Sequence, residues 1–400
     1  MNNDSLPSLQ PSAISRQVPG VSPDDLKPKI GIVTHYMPPH LGGIEIIADG
    51  LFRGFMAAGC EVRWIASRVP GTSAEYEDAR IRVNCLNWFE QYGIPWPIWG
   101  LAAARKVWQL VKWADVLHVH DCLYLGSILS VYLGERFNKP VILTQHIGFV
   151  DYHHKFINLI ESSAYKIIGK KVLRGATSIV LATPSAWDFV SDLLKGVPAS
   201  AQKIPNGIDT ERFRPATMAE RQDARKMLAV PEPAAVVLLV GRLVEKKGVH
   251  LFYEVSRGLP EYHFLLVGEG PLQPPKLKNL TWLPFVLPEQ MHLVYQAADV
   301  FMLPSHGEGF PVAVQEAMAA GLPVLVSKGE PFAVLLDQEK ACLAVERTAL
   351  SLSKAVVEIF KNGELVVSLG KRSRELVVRE WSFESMVKKY INLIKELGYS

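Results

Sequence analysis

Two carboxylates eight positions apart, Glu308 and Glu316, stand in the stretch 305–327, SHGEGFPVAVQEAMAAGLPVLVS, and Glu316 is the only charged residue between Gly309 and Ser327. A carboxylate on so apolar a helix is costly to bury without hydrogen-bond donors, and the hydroxyls of a ligand supply donors. Glu308 lies in the Gly-rich loop just before the helix, where free backbone N–H groups favour an anion. For Glu316 the plainer alternative is a solvated residue on a helix edge. The flanking Gly and Pro and the strands on either side favour the functional reading.

The elements that position this pair read as loop, helix, turn and strand. Pro311 is expected at the first helical position, the apolar run 312–320 forms the helix, Gly321 stops it, and 323–326 is a strand. The same alternation of short apolar run, turn and amphipathic segment covers most of the chain. Residues 30–34, 61–66, 116–119, 141–145 and 178–182 read as strands of one sheet; 236–240, 263–267, 300–303, 323–326 and 342–345 read as strands of a second. The pattern predicts an α/β chain with two Rossmann-like, doubly wound parallel sheets. The motif IPNGID at 204–209 and the charged stretch 211–225 separate them. The expected divisions are a loose leader over 1–28, a first domain over 29–205, a second over 206–380, and a terminal amphipathic helix from 381 that closes the second domain or crosses back to the first. Ligands bind outside the carboxyl ends of such strands, so the expected site is a cleft across which the two domains face each other.

Composition agrees with an ordinary globular chain: 400 residues, 48% hydrophobic and 21% charged, enough for two cores. A net charge of +3 is too mild to argue for a nucleic-acid partner. The four cysteines, Cys60, Cys85, Cys122 and Cys342, show neither a CxxC pair nor a zinc-like spacing with His, so no metal is expected and a reducing cytoplasm fits. The leader lacks the apolar core of a signal peptide, and no uncharged apolar run approaches the roughly 18 to 20 residues that span a bilayer.

Further motifs fall where the strands end. In HYMPPHLGGIE, Gly42 and Gly43 open a helix and permit close approach of a phosphate, although a plain strand-to-helix turn has the same look. In VLLVGRLVEKKG, Arg242 and Lys247 bring two cations to a strand end, a pairing suited to a diphosphate. In DVLHVHD, His118 reads as a hydrogen-bonded core residue and His120, at the strand end, as the site candidate; His146 in LTQHIGF is comparable. A dinucleotide fingerprint at Gly268 and Gly270 is weak, because Pro271 follows and a third Gly is missing.

Taken together, GGIE, HVHD, PNGID, GRLVEKKG and above all HGEGFPVAVQEAMAAGLPV resemble the retaining, nucleotide-sugar-dependent glycosyltransferases of family four, with the GT-B fold, from about residue 29 to the C-terminus. The resemblance implies transfer of a glycosyl group from a nucleoside diphosphate sugar to an acceptor hydroxyl, with retained configuration and with neither a metal nor another cofactor required. Carried onto matching positions, it makes Glu308 and His120 the catalytic residues, with Glu308 at the sugar and its anomeric carbon and His120 facing the sugar. It assigns Glu316 to the ribose, Arg242 and Lys247 to the diphosphate, Gly43 to backbone N–H donation, and Gly309, Phe310 and Pro311 to the sugar pocket. The resemblance also implies that the base lies against residues 283–287. Where such families continue with Gly-Gly-x-Pro-Glu, this chain has Lys328-Gly-Glu-Pro-Phe332, which leaves the contacts of that loop open.

On the acceptor side, the stretch 88–113 combines five Trp with Arg105, Lys106 and Lys112, and residues 152–174 add several Lys among apolar residues. A core-packed helix with a solvated basic edge explains this; a face resting on the inner surface of a membrane, reaching a lipid-linked sugar, is the alternative. The expected function is synthesis of a surface polysaccharide or glycolipid, with a saccharide or lipid-linked acceptor. The rivals are a GT-B enzyme of another reaction, phosphorolysis or epimerisation, and a non-catalytic nucleotide-sugar-binding scaffold.

Overall fold

The computed structural model describes residues 28–38, 40, 42–69, 76–77, 79–88, 96–146, 148 and 155–398. Apart from Pro28, the expected leader lies outside the described residues, as do 89–95 of the Trp-rich stretch and 152–154 of the second basic segment. The chain divides into two compact units. The first runs to Gly207 and takes up the chain again at Met386, and the second is Ile208–Ser385.

The first unit holds strands β1 (Lys29–Val33), β2 (Glu61–Ser67), β3 (Tyr76–Glu77), β4 (Arg80–Val83), β5 (Cys85–Leu86), β6 (Ile98–Trp99), β7 (Val116–His120), β8 (Val141–Gln145), β9 (Ser178–Leu181) and β10 (Ala201–Lys203). Its helices are α1 (Gly43–Ala57), α2 (Leu101–Trp113), α3 (Leu125–Phe137), α4 (Lys155–Ala164), α5 (Lys170–Gly175) and α6 (Pro184–Leu194), with a π-helical turn at Tyr165–Gly169 joining α4 to α5. The second unit contributes β11 (Val236–Val240), β12 (His263–Val267), β13 (Leu280–Leu283), β14 (Val300–Leu303), β15 (Val324–Ser327) and β16 (Leu343–Val345). Its helices are α7 (Met218–Met227), α8 (Val249–Gly258), α9 (Met291–Ala297), α10 (Val312–Ala319), α11 (Pro331–Gln338), α12 (Ala349–Lys361) and α13 (Gly363–Trp381), and α14 (Phe383–Glu396) follows.

Among the described residues the first sheet has the order β10-β9-β8-β7-β1-β2-β4-β3, parallel except at the β3–β4 pair, and the second the all-parallel order β13-β12-β11-β14-β15-β16. Runs such as VVLLV and HFLLV are buried nearly end to end, as parallel strands covered on both faces must be. In each sheet the winding reverses beside the first strand, between β1 and β7 and between β11 and β14. Crevices open at the carboxyl ends of such neighbours.

The ten strands expected from the sequence all form, with ends shifted by at most one residue. The short strands β4, beside the edge, and β10 and β13, at the edges, had no long apolar run to announce them. The charged stretch 211–225 carries most of α7, opened by a capping box in which Thr217 and Glu220 each accept from the other's backbone N–H. The terminal helix begins at Phe383 rather than 381. Ile208 donates its N–H to the carbonyl of Trp381 and accepts from that of Phe383, and this bridge breaks α13 from α14. From Met386 onward α14 packs with the first unit, where Val387 sits against Gly54.

Candidate active site

In the second unit the loops that follow three adjacent strands, β11, β14 and β15, are tied together. His306 donates its N–H to the carbonyl of Lys246, and Arg347 Nε donates to the carbonyl of Pro304 at 2.9 Å. Gly248 adopts φ +70° and packs so tightly that a Cβ on it would stand 2.0 Å from the carbonyl oxygen of Pro304. This contact lets Lys247 reach the neighbouring loop, where its Nζ lies 3.1 Å from Glu308 Oε1. Lys247 and Glu308 are both half-buried, whereas Arg242, on the same β11 loop, is exposed.

Glu330, on the loop after β15, braces the Glu308 loop from the other side. Its two carboxylate oxygens accept the N–H groups of Gly307 and Glu308, each at 2.8 Å. The departure from Gly-Gly-x-Pro-Glu therefore has a structural use. The displaced carboxylate satisfies consecutive backbone donors and fixes the backbone that carries Glu308. Pro311 is the N-cap of α10 rather than its first helical residue, because its ψ of 131° is extended. The Phe310 ring turns inward, stacked on Phe332 at 5.7 Å and edge-on to Trp381 at 4.7 Å, and its carbonyl accepts from Gln315 Nε2. Gly309 is exposed between them.

Glu316 stands about one turn along α10, and Tyr295 of α9 donates its phenolic O–H to it at 2.6 Å. Burial pushes the Glu316 carboxyl up to about 7, while the Tyr295 hydrogen bond and the charge of Arg212 pull it down. The carboxylate thus has one internal donor and lone pairs to spare. At the end of β13, Phe285 and Leu287 are exposed apolar side chains in the loop expected to face a base.

In the first unit the ends of β8, β7 and β1 gather imidazoles. His120 and His146, stacked 5.1 Å apart, share a hydrogen bond of 2.8 Å between Nδ1 and Nε2. The backbone N–H of His146 donates to Asp121 Oδ1, and Asp121 itself takes the left-handed φ of +54°, a strained setting typical of functional loops. His118 pairs with Thr144, whose hydroxyl also meets the Tyr390 hydroxyl of α14 at 2.7 Å, so the expectation of a hydrogen-bonded core residue holds. Burial first, then neighbouring imidazoles, hold His118 and His35 down at about 3 and His120 well below the ordinary value; burial against an opposing Asn206 hydrogen bond puts His146 at about 4. At the start of α1, Glu45 folds back over Gly42 and accepts from His40 Nδ1 at 2.8 Å, whereas a Cβ on Gly43 would meet nothing within 4 Å. The backbone at Gly43 is therefore open to a ligand.

The sequence thus brought Lys247 to Glu308 and His120 to His146. It gave no sign of Tyr295 or Arg347, whose partners lie 21 and 43 positions away, and it marked Glu330 as a departure without finding its partners, 22 and 23 positions away. Gly268 and Gly270 serve packing: a Cβ on either would strike the carbonyls of Gly241 or Leu243. Among the described residues no three His, Cys, Asp or Glu are grouped to hold a metal ion.

Two family models match in succession: "Glycosyltransferase Family 4" over residues 41–212 and "Glycosyl transferases group 1" over 220–376. The chain is a family-four glycosyltransferase of the GT-B fold. This glycosyltransferase is 25% identical, over 92% of its length and 97% of the relative's, to the alpha-monoglucosyldiacylglycerol synthase of Acholeplasma laidlawii. It is 24% identical to a GDP-mannose-dependent phosphatidylinositol monomannoside mannosyltransferase of Corynebacterium glutamicum, over 91% and 97% of the two chains. Its fold matches that of Anabaena HepE in complex with UDP, with TM-score 0.69 and 13% identity over 92% of this chain and 100% of that one. It also matches sucrose-phosphate synthase from Thermosynechococcus elongatus, with TM-score 0.66 and 21% identity over 93% and 99%. The enzyme therefore has relatives in glycolipid synthesis, and a "putative teichuronic acid biosynthesis glycosyltransferase" of Bacillus subtilis, 28% identical over 64% of both chains, adds polysaccharide synthesis.

Proposed function

We propose that this glycosyltransferase moves a sugar from a nucleoside diphosphate sugar to an acceptor hydroxyl with retained anomeric configuration, without a required metal or cofactor, in glycolipid or surface polysaccharide synthesis. The observation that carries the reading is the 3.1 Å pair of Lys247 and Glu308 at adjacent strand ends, with Glu316 about one turn into the helix that follows. Lys247 and Arg242 stabilise the departing diphosphate, and Gly43 adds backbone donation. Glu308, beside the sugar, supports the positive charge that grows at the anomeric carbon as the glycosidic bond breaks, while Glu316 accepts from the ribose. His120 faces the sugar, Gly309, Phe310 and Pro311 line its pocket with backbone, and residues 283–287 hold the base. The UDP bound in the Anabaena neighbour supports a nucleoside diphosphate donor.

The acceptor is a saccharide or lipid-linked sugar. The contact proposed with a bilayer is peripheral; no helix among the described residues is long and apolar enough to cross a membrane. Exposed Leu101 and Trp108 alternate with Arg105 and Lys112 on α2, and exposed Leu159, Ile160, Ile167 and Ile168 neighbour Lys166, Lys171 and Arg174. Apolar and cationic side chains on the same helices support such contact with an anionic cytoplasmic leaflet. The free cysteines fit a cytoplasmic enzyme.

The test is a panel of uridine, guanosine and adenosine diphosphate sugars read by thermal shift, then nucleoside diphosphate release with and without acceptors. One donor is expected to stabilise the protein, and release is expected to depend on the acceptor. Release driven by inorganic phosphate alone would establish phosphorolysis instead, and donor binding with no turnover over the acceptor panel would establish a scaffold.

A further inference from the structure

The last four carbonyls of an α-helix have no partner inside it, and in α10, which carries Glu316, three of them are met by the backbone that follows. Ala320 donates its N–H to the Glu316 carbonyl, Leu322 to that of Ala317, and Gly321, at φ +72°, to that of Met318. The Ala319 carbonyl accepts instead from Nη1 of Arg374 on α13, at 2.7 Å. A cation there also opposes the negative end of the helix dipole. α13 comes this close because Gly370, one turn before Arg374, leaves room: a Cβ on it would stand 2.3 Å from the Gly321 carbonyl oxygen.

The same nitrogen also serves a segment far from α10 in sequence. Arg374 Nη1 donates to the carbonyl of Phe213 at 2.8 Å. The Phe213 ring stands edge-on to Tyr295, with centroids 5.7 Å apart, and Tyr295 in turn donates to Glu316. These contacts close a circuit that runs from Arg374 through the end of α10 to Glu316, through the Tyr295 hydroxyl to the Phe213 ring, and back through the Phe213 carbonyl. Glu316 is thus held from two sides, by the helix that carries it and by the ring that backs its phenolic donor. Arg374 is half-buried, and its charge makes both bonds stronger than neutral ones. Every member of the circuit belongs to the second unit.

We propose that Arg374 is a positioning residue for nucleotide binding, which sets the Glu316 carboxylate to accept from the ribose hydroxyls of a nucleoside diphosphate. It acts through α10 and Tyr295 and not by contact with the nucleotide. The proposal rests on the reading that Glu316 holds the ribose. A carboxylate displaced by about 1 Å loses hydroxyl bonds, because hydrogen bonds weaken steeply as they lengthen and bend. The loss falls on the ribose and spares the diphosphate contacts assigned to Arg242 and Lys247, which stand on a different loop.

The test titrates UDP, GDP and ADP, and the 2′,3′-dideoxy form of each, into the full-length enzyme by calorimetry, which needs no acceptor. In the wild type the tightest-binding nucleotide is expected to lose about tenfold in affinity without its ribose hydroxyls. Arg374→Met, which keeps the apolar stem, is expected to shrink that preference to about two- to threefold by weakening the ribose form and sparing the dideoxy form. Arg374→Lys, which returns donors and charge, restores most of it. Equal weakening of both forms would mark general damage to the fold and overturn the positioning role. No preference in the wild type overturns the ribose reading of Glu316 and the proposal with it, whereas a wild-type preference that Arg374→Met keeps in full overturns the positioning role alone. Should Arg374→Met not fold, Phe213→Leu loosens the same circuit at another member with the same expectation, and an undiminished preference there overturns the proposal in its turn.

Discussion

Tyr295 donates its phenolic proton to Glu316 across 2.6 Å, from α9 to α10 of the second unit. The bond favours the ionised carboxylate, against burial that pushes its pKa up to about 7. A ribose hydroxyl that donates to Glu316 needs the same ionised form. Donor affinity, measured by calorimetry, is therefore expected to rise as pH increases through about 7, and Tyr295→Phe to shift that rise to higher pH. Affinity independent of pH from 6 to 8 would detach Glu316 from the donor.

Glu308 and Glu316 are expected to fail differently. Glu308→Ala removes a charge that matters most as the bond breaks, so kcat falls by about two orders of magnitude with donor KM nearly unchanged. Glu316→Ala raises donor KM by about tenfold and spares kcat. Steady-state kinetics with saturating acceptor separate the two, and the reverse pattern contradicts the assignment.

Glu330 should act through the loop it braces. Glu330→Ala leaves the Gly307 and Glu308 N–H groups without their carboxylate at a cost of about 1.5 to 3 kcal/mol per charged hydrogen bond at most. Unfolding in urea is expected to show a lower midpoint, and kcat to fall as Glu308 loses its fixed backbone. Unchanged kcat and stability would show that the loop holds itself.

Stability should fall on acidification below about 6.5. The buried His35, His118, His120 and His146 bind a proton when unfolded near 6.5 but resist it when folded, so the unfolded state takes up more protons as pH drops from 6.5 toward 4. Glu316, with its raised pKa, works the other way: between 4.5 and about 7 the folded state holds the extra proton and stability falls as pH rises. Four groups outweigh one, each worth about 1.4 kcal/mol per pH unit. Urea midpoints measured from pH 7.5 to 5 should therefore decline, and the decline should lessen in His118→Gln.

Gly248→Ala is expected to be severe. The left-handed φ of +70° strains any side chain there, and the new Cβ would meet the Pro304 carbonyl at 2.0 Å. Relief requires the β11 and β14 loops to part, which separates Lys247 from Glu308. Loss of donor-induced thermal stabilisation, together with a Tm lowered by several degrees, is the expected readout.

Much of the fold was legible because parallel strands buried on both faces announce themselves as apolar runs: VVLLV and HFLLV were placed to the residue. The short strand RIRV, with charges at alternate positions, was not, because its pairing with β2 and β3 is decided by tertiary contact. At the site, motif spacing placed Lys247, Glu308 and Glu316 on the right loops and helix. What it left out were partners such as Tyr295 and Glu330, which reach their targets by topology rather than by local spacing. The Pro311 N-cap shows the finer limit, since a Pro at a helix start fits either the cap or the first turn.

The return of α14 to the first unit has a bearing on how the chain is made. Tyr390 meets Thr144 across 246 positions, and Val387 closes against Gly54. As the polypeptide leaves the ribosome, the contiguous second unit is complete in sequence once residue 385 has emerged, whereas the first, begun much earlier, still lacks the segment that packs over His118 and Phe55. Contacts so distant in sequence are slow to form and leave apolar surface uncovered meanwhile. The half of the enzyme synthesised first is the half finished last, and chaperones in the cell have that interval in which to act on it.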